Sequence, residues 1–300
     1  MQKLLKGFII DMERTLSIKI DSSMHGKRVD YILKNYLNIS SALIIRLKKD
    51  KNGIMLNGVH ATVITKVSEG DIIVVNIKGE EAKNIIPVNI FLDVLWEDED
   101  IIVVNKPGTM PVHPSRMHIN DTLANAVLYH IGTKETIHII TRLDRETSGV
   151  VLIAKNPWAA SILTEDIKNG KIKKEYIAIV NGALRPSRGT ICAPIKRKEE
   201  DEMLRCVSEY GKEAITKYEI KKNTDKFCLV NLFPITGRTH QLRVHMSYIG
   251  HPIYGDSMYN AVQKDERTRL HCRKLTFFHP VTGKEISVVA EIPKDFNGLV

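Results

Sequence analysis

Thr141-Arg142-Leu143-Asp144-Arg145-Glu146-Thr147-Ser148-Gly149 stands between two short apolar runs, 137–140 and 150–154. A β-branched run that stops at a polar, glycine-terminated loop and restarts as a second apolar run predicts strand, loop, strand, with both strands buried. Such a loop exposes its side chains on a rigid frame. Arg142, Arg145 and Glu146 share it with Asp144, so taken alone the stretch is accounted for by a solvated charged turn.

Working outward, residues 94–96, an acidic turn at 97–100 and an apolar run at 101–104 predict two strands that break at Asn105-Lys106-Pro107-Gly108. Asp121 or Thr122 then caps a helix with Leu123, Ala126, Val127, His130 and Ile131 on one stripe. His113 and His130 are expected to be structural. Beyond the loop, Asn156 caps a helix that opens on Pro157 and ends by Gly170. Strands are predicted at 174–180, 214–221 and 227–233, with the charged insertion 196–202 as a solvent loop. Thr239 is expected to cap a helix that stacks Leu242, Met246 and Ile249, with Arg243 at the border of that stripe. A hairpin of 275–278 against 286–292 closes the chain. Strands outnumber helices and most connections are too short for a βαβ crossover. The fold class predicted for 91–300 is therefore α+β, with a mixed, largely antiparallel sheet and peripheral helices.

Ahead of it, residues 1–15 lack periodicity and are expected to be a flexible lead-in. Residues 16–77 predict a compact module of two helices and a small sheet. Val29, Ile32, Leu33, Tyr36 and Leu37 form one helix face, Ser40 caps a second helix with Arg46, Lys48 and Lys49 at its end, and Asn57-Gly58 marks a hairpin. The apolar pattern fails at 78–90, the expected linker.

Three hundred residues with 43% hydrophobic content are enough for two cores. A formal net charge of +9 and a pI near 9.2 favour an anionic partner, nucleic acid or a membrane surface. No apolar run approaches the ~18–20 residues of a membrane span. Phe8-Ile9-Ile10 is shorter than a signal-peptide core and is followed by Asp11 and Glu13, so a cytoplasmic location is expected. Cys192, Cys206, Cys228 and Cys272 are far apart with no Cys-x-x-Cys pair, and no histidine has metal-ligand spacing with an acid. Reduced cysteines and no metal site are expected.

Arg142-Leu143-Asp144-Arg145-x-Thr147-Ser148-Gly149, followed by an apolar strand, resembles the central motif of the RluA family of RNA pseudouridine synthases, whose indispensable residue is the aspartate. The run from Lys174 through Tyr176 to Gly182 resembles the family's tyrosine-bearing strand, and Thr236-Gly237-Arg238-Thr239-His240-Gln241-Leu242-Arg243-Val244-His245 its third signature. Leu270-His271 and Leu275 through Pro280 match its closing segment. These blocks span roughly 91–292 in the family's order and are specific together. Arg28-x-Asp30, Ser40, the basic helix end, Leu56-Asn57-Gly58 and Glu69-Gly70-Asp71-Ile72 resemble an S4-type RNA-binding domain.

The resemblance implies isomerisation of uridine to pseudouridine in structured RNA, with large-subunit ribosomal RNA favoured and transfer RNA the alternative. The N1–C1′ bond breaks, the uracil rotates and C5 joins C1′, a sequence that needs no cofactor. Glycosidic cleavage needs a carboxylate against the charge that develops at C1′. The resemblance gives that role to Asp144. Glu146 is close enough in sequence to mimic a glycosidase pair, but a retained uracil anion needs less acid help than a sugar alkoxide. Whether Asp144 attacks the sugar, attacks the base or removes a proton stays open. An ionised carboxylate in a pocket needs a cation; Arg243 is the candidate and Arg238 the next. Tyr176 reads as an ordinary core aromatic, yet the resemblance places it against the extruded base. Arg142, Arg238 and His240 are expected at the RNA, with Arg46, Lys48 and Lys49 contributed by the first module. Where the family's motif begins with histidine this chain has Thr141, so any RNA contact of that histidine is altered. A monomer is expected. Rival classes are a catalytically silent S4-type RNA-binding or ribosome-assembly factor, and a serine hydrolase using Ser148, which lacks the Gly-x-Ser-x-Gly elbow.

Overall fold

Two apolar clusters organise the chain, each around its own sheet. The computed structural model describes residues 13–82, 85–132, 136–199, 203–259 and 267–297. The first part forms β1 (Arg14–Lys19), α1 (Val29–Asn35), α2 (Ser41–Leu47), β2 (Ile54–Leu56), β3 (Val59–His60) and β4 (Ile72–Ile77). The second forms β5 (Asp93–Glu97), β6 (Ile101–Lys106), α3 (Leu123–Ile131), β7 (His138–Ile139), β8 (Ser148–Ala154), α4 (Pro157–Lys168) and β9 (Lys173–Asn181). It continues with β10 (Arg188–Cys192), β11 (Ile195–Arg197), β12 (Arg205–Val207), β13 (Ile215–Asn223), β14 (Phe227–Pro234), α5 (Gln241–Tyr248), β15 (Leu270–Phe278) and β16 (Glu285–Val289).

The first sheet has the order β1-β4-β2-β3 and packs Val29, Ile32 and Leu33 of α1 and Leu43, Ile44 and Leu47 of α2 against Ile73, Val75 and Ile77. The Ser40 hydroxyl accepts the Leu43 N–H, as a capping serine does. β1 begins at Arg14, inside the stretch expected to be a lead-in. Its alternation of half-buried and exposed residues is the period-2 signature of an edge strand, and it pairs with β4 along its whole length. Residues 1–12, including Phe8-Ile9-Ile10, lie outside the described residues.

The second sheet runs β10-β13-β14-β9-β15-β8-β6-β5, with β7 added to β8 and β16 to β15. β8 is buried at every residue, as a central strand must be. Among the described residues its pairing with β15 is the one parallel contact, and it lasts two residue pairs, His271 with Ser148 and Cys272 with Gly149. The sheet is accordingly α+β, mixed and largely antiparallel. β7 is shorter than the predicted strand and half-buried. The insertion at 196–202 is not a plain loop: Lys196 and Arg197 lie on β11, which pairs with β12, while 200–202 fall outside the described residues. β15 also starts earlier than predicted, at Leu270.

The described residues of the connection at 78–90 are held at several points. Arg46 donates to the Lys78 carbonyl at 2.7 Å and to Glu80 at 2.9 Å, and Asn125 of α3 binds both Ile86 and Val88 through their backbones. Trp158, at the start of α4, packs into the N-terminal cluster and donates its indole N–H to the Leu37 carbonyl. Arg14 reaches across to Glu99 and Asp100.

Candidate active site

The loop before β8 is fastened from below by a buried lysine. Lys106, at the end of β6, is fully inaccessible, and its ammonium donates to the carbonyls of Pro107, Met110 and Arg145 at 2.8, 2.8 and 3.0 Å. Three acceptors match the three N–H bonds of the charged form. Burial and then Arg267 push Lys106 down to about 7, against the pull of Asp144. From the other side Thr268 donates to the Glu146 carboxylate at 2.8 Å and Arg267 to the Glu146 carbonyl at 3.4 Å. Glu146 is thus a tether and not the second carboxylate of a glycosidase-like pair. Gly149 must be glycine: its φ is +114° and a Cβ would lie 2.2 Å from the Cys272 carbonyl oxygen. Replacing Lys106 by methionine should take the donor from three partly buried carbonyls and destabilise the fold by about 3 kcal/mol. An unchanged denaturant midpoint would show that the loop does not depend on this anchor.

Fixed this way, Asp144 keeps its side chain 30% exposed, while its partner Arg243 is buried at 4%. The Arg243 Nη1 is 3.3 Å from Asp144 Oδ2, while Nε and Nη2 grip Asp256 at 2.6 and 2.7 Å. Asp256 is wholly buried and also accepts the N–H groups of Met258 and Tyr259. Burial works against the charge on Arg243, but Asp256 and then Asp144 outweigh it and raise its pKa further above the ordinary value. Arg243 lies on α5, whose N-cap is His240 in the left-handed region at φ 57°, not Thr239. The turn is organised by Gln241 instead, whose carbonyl oxygen accepts from Arg238 N–H and the Thr236 hydroxyl.

Lys106, Gly149, Cys272 and Tyr176 are successive register partners across β6, β8, β15 and β9. Because Gly149 has no side chain, the β15 backbone at Cys272 packs directly against it. Tyr176 is buried; burial, then Cys272 and Asp144, push its phenol well above the ordinary value, so it keeps its proton at neutral pH. His240 sets Nε2 3.9 Å from Asp144 Oδ2, and burial, opposed by Asp144, holds its pKa down. Arg142 is exposed two residues before Asp144. Arg238 is exposed at the far side and donates to the Glu213 carbonyl at 2.8 Å. Arg46 is occupied at the connection described above, whereas Lys48 and Lys49 are exposed. Thr141 is buried and its hydroxyl accepts the Leu152 N–H, so it ties the end of the β7 segment to β8 rather than facing a ligand. Ser148 meets His271 at 2.9 Å, but both are buried under the loop, out of reach of a substrate. Lys106, Asp256 and Tyr259 went unnoticed in the sequence; only the lysine left a trace, as a charge ending an apolar strand just before Pro107.

A family model for RNA pseudouridylate synthase matches residues 100–248. The uncharacterized RNA pseudouridine synthase YjbO of Bacillus subtilis (strain 168) is 38% identical over 269 residues, 88% of this chain and 95% of that protein. The chain belongs to the RNA pseudouridylate synthase family. Ribosomal large subunit pseudouridine synthase D of Xylella fastidiosa (strain Temecula1 / ATCC 700964) is 32% identical over 293 residues, 92% of this chain and 88% of that one. Among solved structures, human RNA pseudouridylate synthase domain containing 4 superposes with a TM-score of 0.57 at 31% identity, covering 68% of this chain and 90% of its own. Pseudouridylate synthases isomerise uridine to pseudouridine in RNA, and the protein is an isomerase of that class.

Proposed function

We propose that the enzyme modifies uridine in large-subunit ribosomal RNA, with Asp144 as the essential carboxylate. One observation carries the site assignment: a partly exposed carboxylate is paired with a buried cation that a second carboxylate locks in place. Arg243 orients Asp144 and sets a cation beside it, which suits a group that must meet developing positive charge at C1′. Tyr176 offers an apolar ring with a protonated hydroxyl beside that carboxylate, a platform for a uracil turned out of its stack. Arg142, at the rim, is placed to take the space the base vacates or a flanking phosphate.

The ribosomal target rests on relatives named ribosomal large subunit pseudouridine synthase D at 32% identity. It rests also on reading 16–77 as an S4-like RNA-binding unit joined through 78–90 to a catalytic unit at 91–300, in a cytoplasmic monomer. Among the described residues no helix is long and apolar enough to cross a membrane. The test is pseudouridine mapping across total RNA from cells with and without the gene. Loss at one or a few uridines of large-subunit RNA, restored by the wild type but not by Asp144→Asn, is the expected result; loss confined to transfer RNA would move the target there. In the first unit, replacing Lys48 and Lys49 by alanine should reduce the log–log salt dependence of RNA binding by about 0.7–0.9 per lysine. An unaltered slope would remove these lysines from the RNA interface.

A further inference from the structure

Tyr259 sits in a loop after α5, and its side chain touches three residues. Its ring lies under the Arg243 guanidinium, 5.1 Å from centroid to Cζ, and edge-on to His240 at 5.7 Å. Its hydroxyl is 2.7 Å from His240 Nδ1 and accepts the Arg205 backbone N–H at 3.1 Å.

We propose that Tyr259 is a positioning residue that fixes His240 in the tautomer with its proton on Nε2, so that a neutral N–H donor is held over Asp144 for an oxygen of the target nucleotide. Two constraints select that tautomer. The Arg205 N–H already fills an acceptor position of the buried phenol oxygen, so the phenol proton must itself find an acceptor. The ring nitrogen at 2.7 Å provides it. With Nδ1 accepting, the remaining proton of the neutral imidazole goes to Nε2. That nitrogen faces the Asp144 carboxylate at 3.9 Å, where a proton is electrostatically favoured. The separation is too long for a direct hydrogen bond, so the N–H stays available.

His240 also occupies the left-handed backbone region at φ 57°, which a non-glycine residue holds only when its surroundings require it. Its two fixed points are the start of α5 and the Tyr259 hydroxyl. A neutral donor beside a retained uracil anion stabilises charge that appears only as the N1–C1′ bond breaks, without competing with Arg243 for Asp144.

The inference rests on Asp144 being the reacting carboxylate, and one arm of its test is independent of turnover. In free full-length enzyme, 15N imidazole shifts should report His240 with hydrogen on Nε2, and in Tyr259→Phe a mixture of both tautomers. Tyr259→Phe should also lower kcat about tenfold with KM within twofold, while the thermal melt stays close to wild type because the ring remains over Arg243. His240→Gln should lose as much or more, and adding Tyr259→Phe to it should cost little further, since both act through one group. A wild-type tautomer preserved in Tyr259→Phe, or additive losses in the double variant, would overturn the proposal. An inactive Asp144→Asn with an unchanged Tyr259→Phe rate would leave the site assignment standing and remove this role alone.

Discussion

Asp144→Asn is expected to bind RNA as tightly as the wild type and to form no measurable pseudouridine, a loss of at least about a thousandfold in turnover. The side chain keeps its size, and the groups around it keep their places: Arg243 remains gripped by Asp256, and the loop remains fastened by Lys106 and Thr268. What disappears is the partly exposed negative charge beside Arg243. Single-turnover assays on a short RNA containing the target uridine, paired with a binding titration, separate the two quantities. Turnover within tenfold of wild type would move the chemistry to another residue.

Arg243→Met should damage the enzyme twice. It strips Asp144 of its cation, and it abandons Asp256, a wholly buried carboxylate, which among the described residues keeps two backbone N–H groups as partners. Removing one member of a buried pair costs about 3–5 kcal/mol, so the variant should melt well below wild type and be inactive. The double variant Arg243→Met with Asp256→Asn tells the two losses apart: it should recover much of the stability and none of the activity. Arg243→Lys should retain a little activity, since a point charge persists but a single ammonium cannot reproduce the fork that serves two carboxylates. If Arg243→Met turned over normally, Arg238 would need to move from its place on the Glu213 carbonyl to supply the charge.

The sheet and most helices are legible in the sequence because they are written in local period. Leu123, Ala126 and Val127 on a helix stripe, or the unbroken apolar run of β8, reflect which side faces the core and need no knowledge of the partner. Short strands such as β10, β11 and β12 escape because they are partly exposed and interrupted by charge, and the start of α5 escapes because a glutamine side chain folds back to do what a capping threonine would have done. Within the site, Asp144, Tyr176 and Arg243 stand out through motif resemblance. Nothing local distinguishes Asp256 or Tyr259: their importance lies in contacts with Arg243 and His240, 13 and 19 residues away in sequence, across a turn with no repeating pattern. Thr141 is the converse case, a position that the motif marks as a departure and the fold uses to end a strand.

The two-pair seam between β8 and β15 joins Ser148 to His271 across 123 residues, and the Glu146–Thr268 tether spans 122. On the ribosome, therefore, the loop bearing Asp144 emerges long before the strand that braces it, and closure over so many residues comes late in folding. Nascent chains halted before Leu270 should be cut readily by trypsin at Arg142 and Arg145, with protection appearing only once β15 has left the exit tunnel. Early protection would mean that Lys106 alone sets the loop. An enzyme assembled in this order stays silent toward the RNA surrounding it at birth until β15 is in place.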